Sequence, residues 1–493
     1  MRSIQHWIGG VPVAGGDALP VYDPATGRTL AEVPLGREAE VDAAVTAAAE
    51  AFASWQDVPV TGRARIMFAF RDLLERHEDD LARIITAEHG KVLDDARGEI
   101  VRGREVVEFA CGIPQLLKGD YSDQVSTGVD AFSFRQPLGV CAGIVPFNFP
   151  VMVPLWMHPI AIACGNAFVL KPSEQVPSAA NLIAELYADA GLPAGVFNVL
   201  HGDGGTAAAL TAHPGVAAVS FVGSTPVARR VHRAASESGK RVQALGGAKN
   251  HAVVLPDADL DHAADQITAA AYGSAGQRCM AISVVVAVGK SADPLVQRLA
   301  DRARAIKVGA GADPASEMGP VISPAARTRV AGHVEAAGRD GAAVLVDGRD
   351  LPGPGFFVGP CLLDRVTPAM AAYREEIFGP VLLVLRAATP DEAVAVINAN
   401  PYGNGTAVFT RSGEAARRFQ REVHVGMIGV NVPVPVPMAF HSFGGWKSSL
   451  FGDTHMHGPE GVRFYTRAKA VTTRWPSSSA PSAPPELAFP TAD

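Results

Sequence analysis

From Gln136 to Leu170 the chain carries no Asp, Glu, Lys or Arg. A charge-free run of that length either spans a membrane or supplies the buried centre of a globular sheet. Pro146, Pro150, Pro154, Pro159 and Gly165 interrupt it, so it divides into a strand Gly139–Val145, a helix Val151–Cys164 and a second strand Ala167–Leu170. Strands of a parallel sheet are covered on both faces and read as continuous apolar runs.

The alternation continues. Val196–Leu200, Ala217–Val222 and Arg241–Leu245 have strand character. Helical spacing of apolar residues fills Ser178–Ala190, Gly205–Ala212 and Pro226–Ser236 between them. Repeated β-α units predict a parallel sheet with helices on both faces. Ahead of it, Val41–Trp55, Arg63–Glu75, Leu81–Glu88 and Asp94–Ala110 read as helices. Behind it lies a second α/β region, with strands at Ser283–Val288, Val344–Val346, Phe356–Leu363, Val381–Leu385, Ala407–Thr410 and Met427–Val430. Its helices fall at Pro294–Ile306, Ala325–Gly338, Asp391–Ala399 and Gly413–Val423. Arg463–Trp475 reads as a terminal strand that alternates too poorly to bury one face alone, and pairing across a subunit contact is expected. Residues 476–493 are rich in Pro, Ser and Ala, the composition of a disordered tail.

A length of 493 residues allows more than one domain, and 48% hydrophobic with 19% charged residues is ordinary for a globular enzyme. A net charge of −7 leaves no basic footprint for nucleic acid. Five scattered cysteines with no C-x-x-C argue against a disulfide scaffold or a zinc cluster. Met1–Gly10 has neither the apolar core of a signal peptide nor an Arg-rich transit pattern, and a reducing cytoplasm is the expected compartment.

Chemistry concentrates at a few turns. After the helix Asp261–Tyr272 comes Gly276-Gln277-Arg278-Cys279, a polar turn that presents one cysteine as a nucleophile. Arg278 beside it is expected to lower the thiol pKa. Cys111, Cys141, Cys164 and Cys361 read as buried structural cysteines. Asn148, in Pro146-Phe147-Asn148-Phe149-Pro150, follows the first strand of the sheet. Ligands bind at the carboxyl ends of such strands. Its amide, with the Cys279 N–H, is placed to hold an oxyanion. Lys171 and Glu174 follow the second strand, where a cation and a carboxylate suit the ribose of an adenosine. Gly223-Ser224 precedes a helix whose free N–H groups favour phosphate. No G-x-G-x-x-G is present. Glu376 suits a second ribose; on spacing alone it reads equally well as a surface carboxylate, and Arg102 as a solvated helix residue.

Taken in order, Pro146-Phe147-Asn148-Phe149-Pro150, Lys171-Pro172-Ser173-Glu174, Phe221-Val222-Gly223-Ser224, Gly276-Gln277-Arg278-Cys279 and Glu376-Ile377-Phe378-Gly379-Pro380 resemble the aldehyde dehydrogenase superfamily, from Gln5 to Trp475. The resemblance implies an α/β fold of that type: a Rossmann-type parallel-sheet NAD-binding domain (1–118 and 137–250), an α/β catalytic domain (251–445) and a small β oligomerisation arm (119–136 and 446–475). It further implies Cys279 and Asn148 as catalytic residues. NAD contacts fall on Val145, Phe147, Lys171, Glu174, Gly223, Ser224, Gly246, Glu376 and Phe378, and no metal is implied. The charge of Glu174 would repel a 2′-phosphate, which favours NAD over NADP. Where the family often has Arg after Lys-Pro-Ser-Glu, this chain has Gln175. A homotetramer, as a dimer of dimers, is expected.

One departure is informative. Most of the superfamily has Glu-Leu-Gly-Gly-Lys where this chain has Gln243-Ala244-Leu245-Gly246-Gly247-Ala248-Lys249-Asn250, and that Glu activates the water that hydrolyses the thioester. Its place falls on Ala244 or Leu245, and neither is a base. A thiol needs less help than water, because a few per cent is already thiolate at neutral pH. Coenzyme A is therefore the expected acyl acceptor. Val101-Arg102-Gly103, Ala248-Lys249-Asn250-His251, Gly276-Gln277-Arg278-Cys279-Met280-Ala281, Pro437-Met438-Ala439-Phe440 and Gly445-Trp446-Lys447-Ser448-Ser449 are similar to the CoA-acylating branch that acts on methylmalonate and malonate semialdehydes. That branch implies decarboxylation, propionyl-CoA or acetyl-CoA as product, a place in valine or inositol catabolism, and Arg102 and Arg278 as holders of the substrate carboxylate. The competing readings are a hydrolytic aldehyde dehydrogenase for another small aldehyde, a thiol acyltransferase without nicotinamide, and a non-catalytic protein that keeps the fold. Turnover without CoA, indifference to cofactor, and folding without turnover would respectively mark them.

Overall fold

In the computed structural model, which describes residues 2–475, two large sheets face each other across the chain's crossover at residues 246–249. The first has eight strands in the order Leu450–Phe451, Arg241–Leu245, Val216–Val222, Val140–Ile144, Ala167–Lys171, Phe197–Val199, His6–Ile8 and Val11–Val13. The five from Arg241–Leu245 to Phe197–Val199 are parallel. Every residue of Val140–Ile144 and Ala167–Lys171 is buried, as helices on both faces require. The second sheet has seven strands in the order Ala343–Val346, Cys361–Asp364, Val381–Ala387, Ile282–Val288, Asn250–Val254, Gly405–Phe409 and Met427–Val430, all parallel except the first. Smaller sheets lie at the N-terminus and in an arm where Thr466–Arg474 pairs with Val129–Pro137, and that strand with Tyr121–Ser126.

The helices form where apolar residues recur at helical spacing. Val41, Ala44, Val45 and Ala48 are the buried stripe of Glu38–Trp55. Their starts carry the expected chemistry: Asp203 caps Gly204–Ala212, Asp259 caps Leu260–Tyr272, and Ser323 with Pro324 opens Pro324–Arg339.

Three expectations change. The helix expected at Val151–Cys164 is two short helices, Met152–Leu155 and His158–Ala163, the second opening with Pro159 in its first turn. Proline lacks the N–H that a continuous helix would need there. The terminal strand is preceded by a helix, Gly458–Phe464, and Thr466–Arg474 pairs within the chain, from Thr466 opposite Pro137 to Arg474 opposite Val129. That pairing with a nine-residue partner uses one edge of the strand and leaves the other, where pairing across a subunit contact was expected, without a partner among the described residues. Asn250–Val254, in the middle of the second sheet, and the short N-terminal strands went unread in the sequence. The tail expected at 476–493 lies outside the described residues.

A short segment ties the two sheets together. Leu450–Phe451 pairs with Arg241–Leu245 of the first sheet, and Trp446–Lys447 pairs with Tyr402–Gly403, just ahead of Gly405–Phe409 of the second. Between them Ser449 accepts from Gly246 N through its carbonyl at 3.0 Å, and its hydroxyl donates to Gly247 O at 2.7 Å. Among the described residues no helix is long and apolar enough to cross a membrane, and the charge-free run is sheet centre.

Candidate active site

After Leu260–Tyr272 the backbone makes a left-handed turn. Ser274, Ala275 and Gly276 have φ of 54°, 52° and 69°. A Cβ on Gly276 would stand 2.2 Å from Gly379 O, so only glycine fits. The turn delivers Gln277, whose Oε1 accepts from Ile322 N at 3.0 Å, and then Arg278 and Cys279. The Cys279 carbonyl accepts from Asn250 Nδ2 at 2.9 Å and from Asn404 Nδ2 at 3.1 Å. Two side-chain amides, one on Asn250–Val254 and one just ahead of Gly405–Phe409, thus fix the Cys279 backbone. Cys279 is partly exposed, whereas the other four cysteines are buried.

The thiol is not activated as the sequence led one to expect. Burial pushes Cys279 up to about 11, and the Glu376 charge adds to that. Arg278 opposes the shift only weakly, because its guanidinium turns to Asp95, with Nη2 donating to Oδ1 at 2.5 Å.

Asp95 lies on the helix Leu93–Cys111, as do Glu99 and Arg102. Their spacing, i, i+4 and i+7, puts all three on one face. Arg102 pairs with Glu105 and donates to Pro437 O at 2.8 Å. Of the two arginines, one therefore stands on this helix and the other is tied to it. Glu99 reaches the loop that holds Asn148: its Oε1 accepts from Val151 N at 2.8 Å and Met152 N at 3.1 Å. Lys91 donates to Glu99 at 2.8 Å and to the Asn148 carbonyl at 2.7 Å. Asn148 is buried. That clamp uses its backbone and leaves its side-chain amide to donate elsewhere.

The residues expected to meet a dinucleotide gather at one edge of the first sheet. Gly246, Gly223, Val145 and Lys171 stand at the carboxyl ends of four adjacent parallel strands, where α/β sheets bind ligands. Lys171 pairs with Glu174 at 3.0 Å. Ser224 precedes the helix Thr225–Glu237 and makes no side-chain cap, so the first N–H groups of that helix are open to a phosphate. A Cβ on Gly246 would meet Ser448 O at 2.7 Å. Phe147 packs edge-on against Phe378, ring centroids 5.8 Å apart, and so joins this edge to the segment ahead of Val381–Ala387 of the second sheet. Phe378 itself has φ 54°. One small cavity is lined by Cys279, Arg278, Asn250, Ala248, Glu376 and Phe378. Glu376 is not the surface carboxylate that spacing alone allowed. Its Oε1 accepts from Ala248 N at 3.0 Å, and burial raises its pKa.

The aldehyde dehydrogenase family model matches residues 12–471. The chain belongs to that family. It is 53% identical to a malonate-semialdehyde dehydrogenase of Pseudomonas aeruginosa over 99% of this chain and 100% of that one. It is 48% identical to the mitochondrial, acylating methylmalonate-semialdehyde dehydrogenase of Arabidopsis thaliana, over 96% of this chain and 79% of that one. A Sinorhizobium meliloti chain solved in complex with NAD superimposes with a TM-score of 0.96 at 48% identity, covering 97% of this chain and 99% of that one.

In this aldehyde dehydrogenase neither position that could have held a hydrolytic carboxylate does so. Ala244 is fully buried in the first sheet, opposite Phe221 and Phe451, and Leu245 is buried beside it. The carboxylate that does adjoin the site, Glu376, comes from the other sheet. Lys249 steadies its segment, donating to Ala372 O and Glu375 O at 2.6 Å each, and burial brings Lys249 down to about 7. Lys91, Asp95, Glu99, Asn250 and Asn404 escaped the sequence reading. The only signal for two of them was the i, i+4, i+7 spacing of Asp95, Glu99 and Arg102, which on a helix reads equally well as a solvated stripe.

Proposed function

We propose that the chain catalyses the NAD-dependent, CoA-acylating oxidation of a semialdehyde that carries a carboxylate. Methylmalonate semialdehyde would give propionyl-CoA and malonate semialdehyde acetyl-CoA. The observation that carries the reading is the buried Ala244 and Leu245 where a water-activating carboxylate would stand, in a site that keeps Cys279. The names of the relatives support the substrate class and the acylating step.

The Cys279 thiolate adds to the aldehyde carbon and forms a thiohemiacetal. The Asn148 amide and the Cys279 N–H receive its oxyanion. Arg102 and Arg278 hold the substrate carboxylate, the pairing for which a guanidinium fork is suited. NAD, bound along Val145, Phe147, Lys171, Glu174, Gly223, Ser224, Gly246, Glu376 and Phe378, supplies the hydride acceptor. Loss of hydride leaves the acyl group on Cys279 as a thioester. CO₂ departs from the carbon next to that thioester carbonyl, and a proton takes its place. The CoA thiolate then attacks the acyl carbon and releases Cys279. The arm, whose strands Tyr121–Ser126 and Thr466–Arg474 each have one unpaired edge in this sheet, is the proposed contact between subunits of a tetramer.

NADH formation from each semialdehyde, with and without CoA, tests the reading beside a Cys279→Ala control. Steady turnover that needs CoA and is lost in the control is expected. Equal turnover without CoA would mean that water reaches the thioester.

A further inference from the structure

Lys91 and Glu99 form an ion pair with no exposed side-chain surface on either partner. Both are fully engaged. Glu99 Oε2 accepts from Lys91, and Glu99 Oε1 accepts from Val151 N and Met152 N. Lys91 Nζ also donates to the Asn148 carbonyl and sits 4.4 Å from the centre of the Phe149 ring. Each contact outside the pair falls on the five residues 148–152. No other buried ion pair in the described residues is directed at that loop.

Stability does not account for such a pair. Desolvating two charges costs about what their attraction returns, and an apolar pair of the same volume is often as stable or more so. What the pair supplies is direction. A hydrophobic contact would let the loop slide, whereas three hydrogen bonds fix the backbone at Asn148, Val151 and Met152 to the Lys91–Glu99 pair, whose Glu99 stands on the helix Leu93–Cys111. That helix also holds Arg278 through Asp95 and carries Arg102.

We propose that Lys91 and Glu99 are positioning residues for the Asn148 amide, setting the oxyanion site through the loop backbone without touching substrate. The proposal rests on the reading of Asn148 as the oxyanion donor. Its consequence is kinetic. Slackening the clamp displaces the amide from the thiohemiacetal oxygen, and a displacement of about 1 Å at a catalytic group costs on the order of 10²-fold in rate.

The test is a double-mutant cycle read in the pre-steady-state NADH burst with malonate semialdehyde. The Lys91→Met/Glu99→Met variant removes the pair without leaving one charge buried alone. Expected are a burst rate constant lower on the order of 10²-fold, unchanged NAD affinity by fluorescence titration, and a further loss of under about threefold when the same change is made in an Asn148→Ala background. A folded variant with an unchanged burst overturns the proposal. So does the same loss in both backgrounds, within about twofold, because a merely structural defect multiplies with Asn148→Ala. An Asn148→Ala enzyme with a normal burst overturns the oxyanion reading itself, and is thereby told apart from failure of the clamp alone. Should the double variant not fold, Glu99→Gln, which keeps shape and one acceptor oxygen, is carried through the same cycle.

Discussion

Arg278 and Asp95 meet at 2.5 Å across the gap between the nucleophile turn and the helix Leu93–Cys111. The arginine next to Cys279 in sequence is thus aimed away from the thiol and held at a fixed place by a carboxylate from another element. Asp95→Ala frees it. The KM for semialdehyde is expected to rise about tenfold to a hundredfold, the scale of a lost hydrogen bond to a charged group. The KM for NAD is expected to stay the same. Steady-state kinetics in both substrates check this.

The thiol makes a second prediction. With Cys279 held up at about 11 by burial and by Glu376, the thiolate is a trace species at neutral pH without cofactor. Inactivation by iodoacetamide is expected to climb roughly tenfold per pH unit from pH 7 to pH 10 with no plateau, as for any thiol titrating below its pKa. Glu376→Gln removes a charge that disfavours the thiolate and shifts the climb to lower pH. A plateau near pH 8 in the cofactor-free enzyme would contradict the argument.

Glu88 concerns stability. It is buried, its Oε2 accepts from Ser178 N at 3.1 Å, and burial pushes it up to about 7. Between the ordinary carboxyl value and 7 the folded chain keeps a proton that the unfolded chain has lost, so stability falls as pH rises through that window and is level above it. The whole loss is on the order of 3 kcal/mol. Between pH 5 and pH 8 the wild type should lose stability relative to Glu88→Gln, which can still accept the Ser178 bond; melting temperatures of the two proteins compared at each pH check this.

Two glycines three residues apart should answer differently to alanine. A Cβ on Gly273 would lie 2.6–2.8 Å from the guanidinium atoms of Arg278, the mobile end of a long side chain. Gly273→Ala should therefore move Arg278, lowering kcat/KM about tenfold (about 1.4 kcal/mol), and leave the melting temperature nearly unchanged. Gly276→Ala meets the Gly379 carbonyl at 2.2 Å with φ 69°, a rigid neighbour and a left-handed backbone. It should lose stability by about 1–3 kcal/mol. Paired kinetics and thermal melts separate the two.

The sheet centres were legible because burial on both faces leaves an unmistakable apolar run, as at Val140–Ile144 and Ala167–Lys171. Asn250–Val254 was not, because it opens with Asn250 and His251. Both are buried for reasons remote in sequence: the first holds the Cys279 and Ala281 carbonyls, the second reaches the Tyr373 hydroxyl at 3.0 Å. That Cys279 stands apart from the other four cysteines was legible from its glycine-rich polar turn, and it is partly exposed where they are buried. The help Arg278 gives the thiol was overestimated because adjacency in sequence says nothing of where two neighbouring side chains point. Lys91 and Glu99 were illegible for a general reason: a charged residue looks solvated until its partner is known, and here the partner loop lies about fifty residues on.

The segment from Trp446 to Phe451 has a mechanical meaning. It is laced to the strand ahead of Gly405–Phe409 on one side and to Arg241–Leu245 on the other, with Ser449 bonded to the crossover between the two sheets. The two sheets are therefore held at a second place besides the crossover at residues 246–249, so a cut in this segment would leave the crossover to carry the connection by itself.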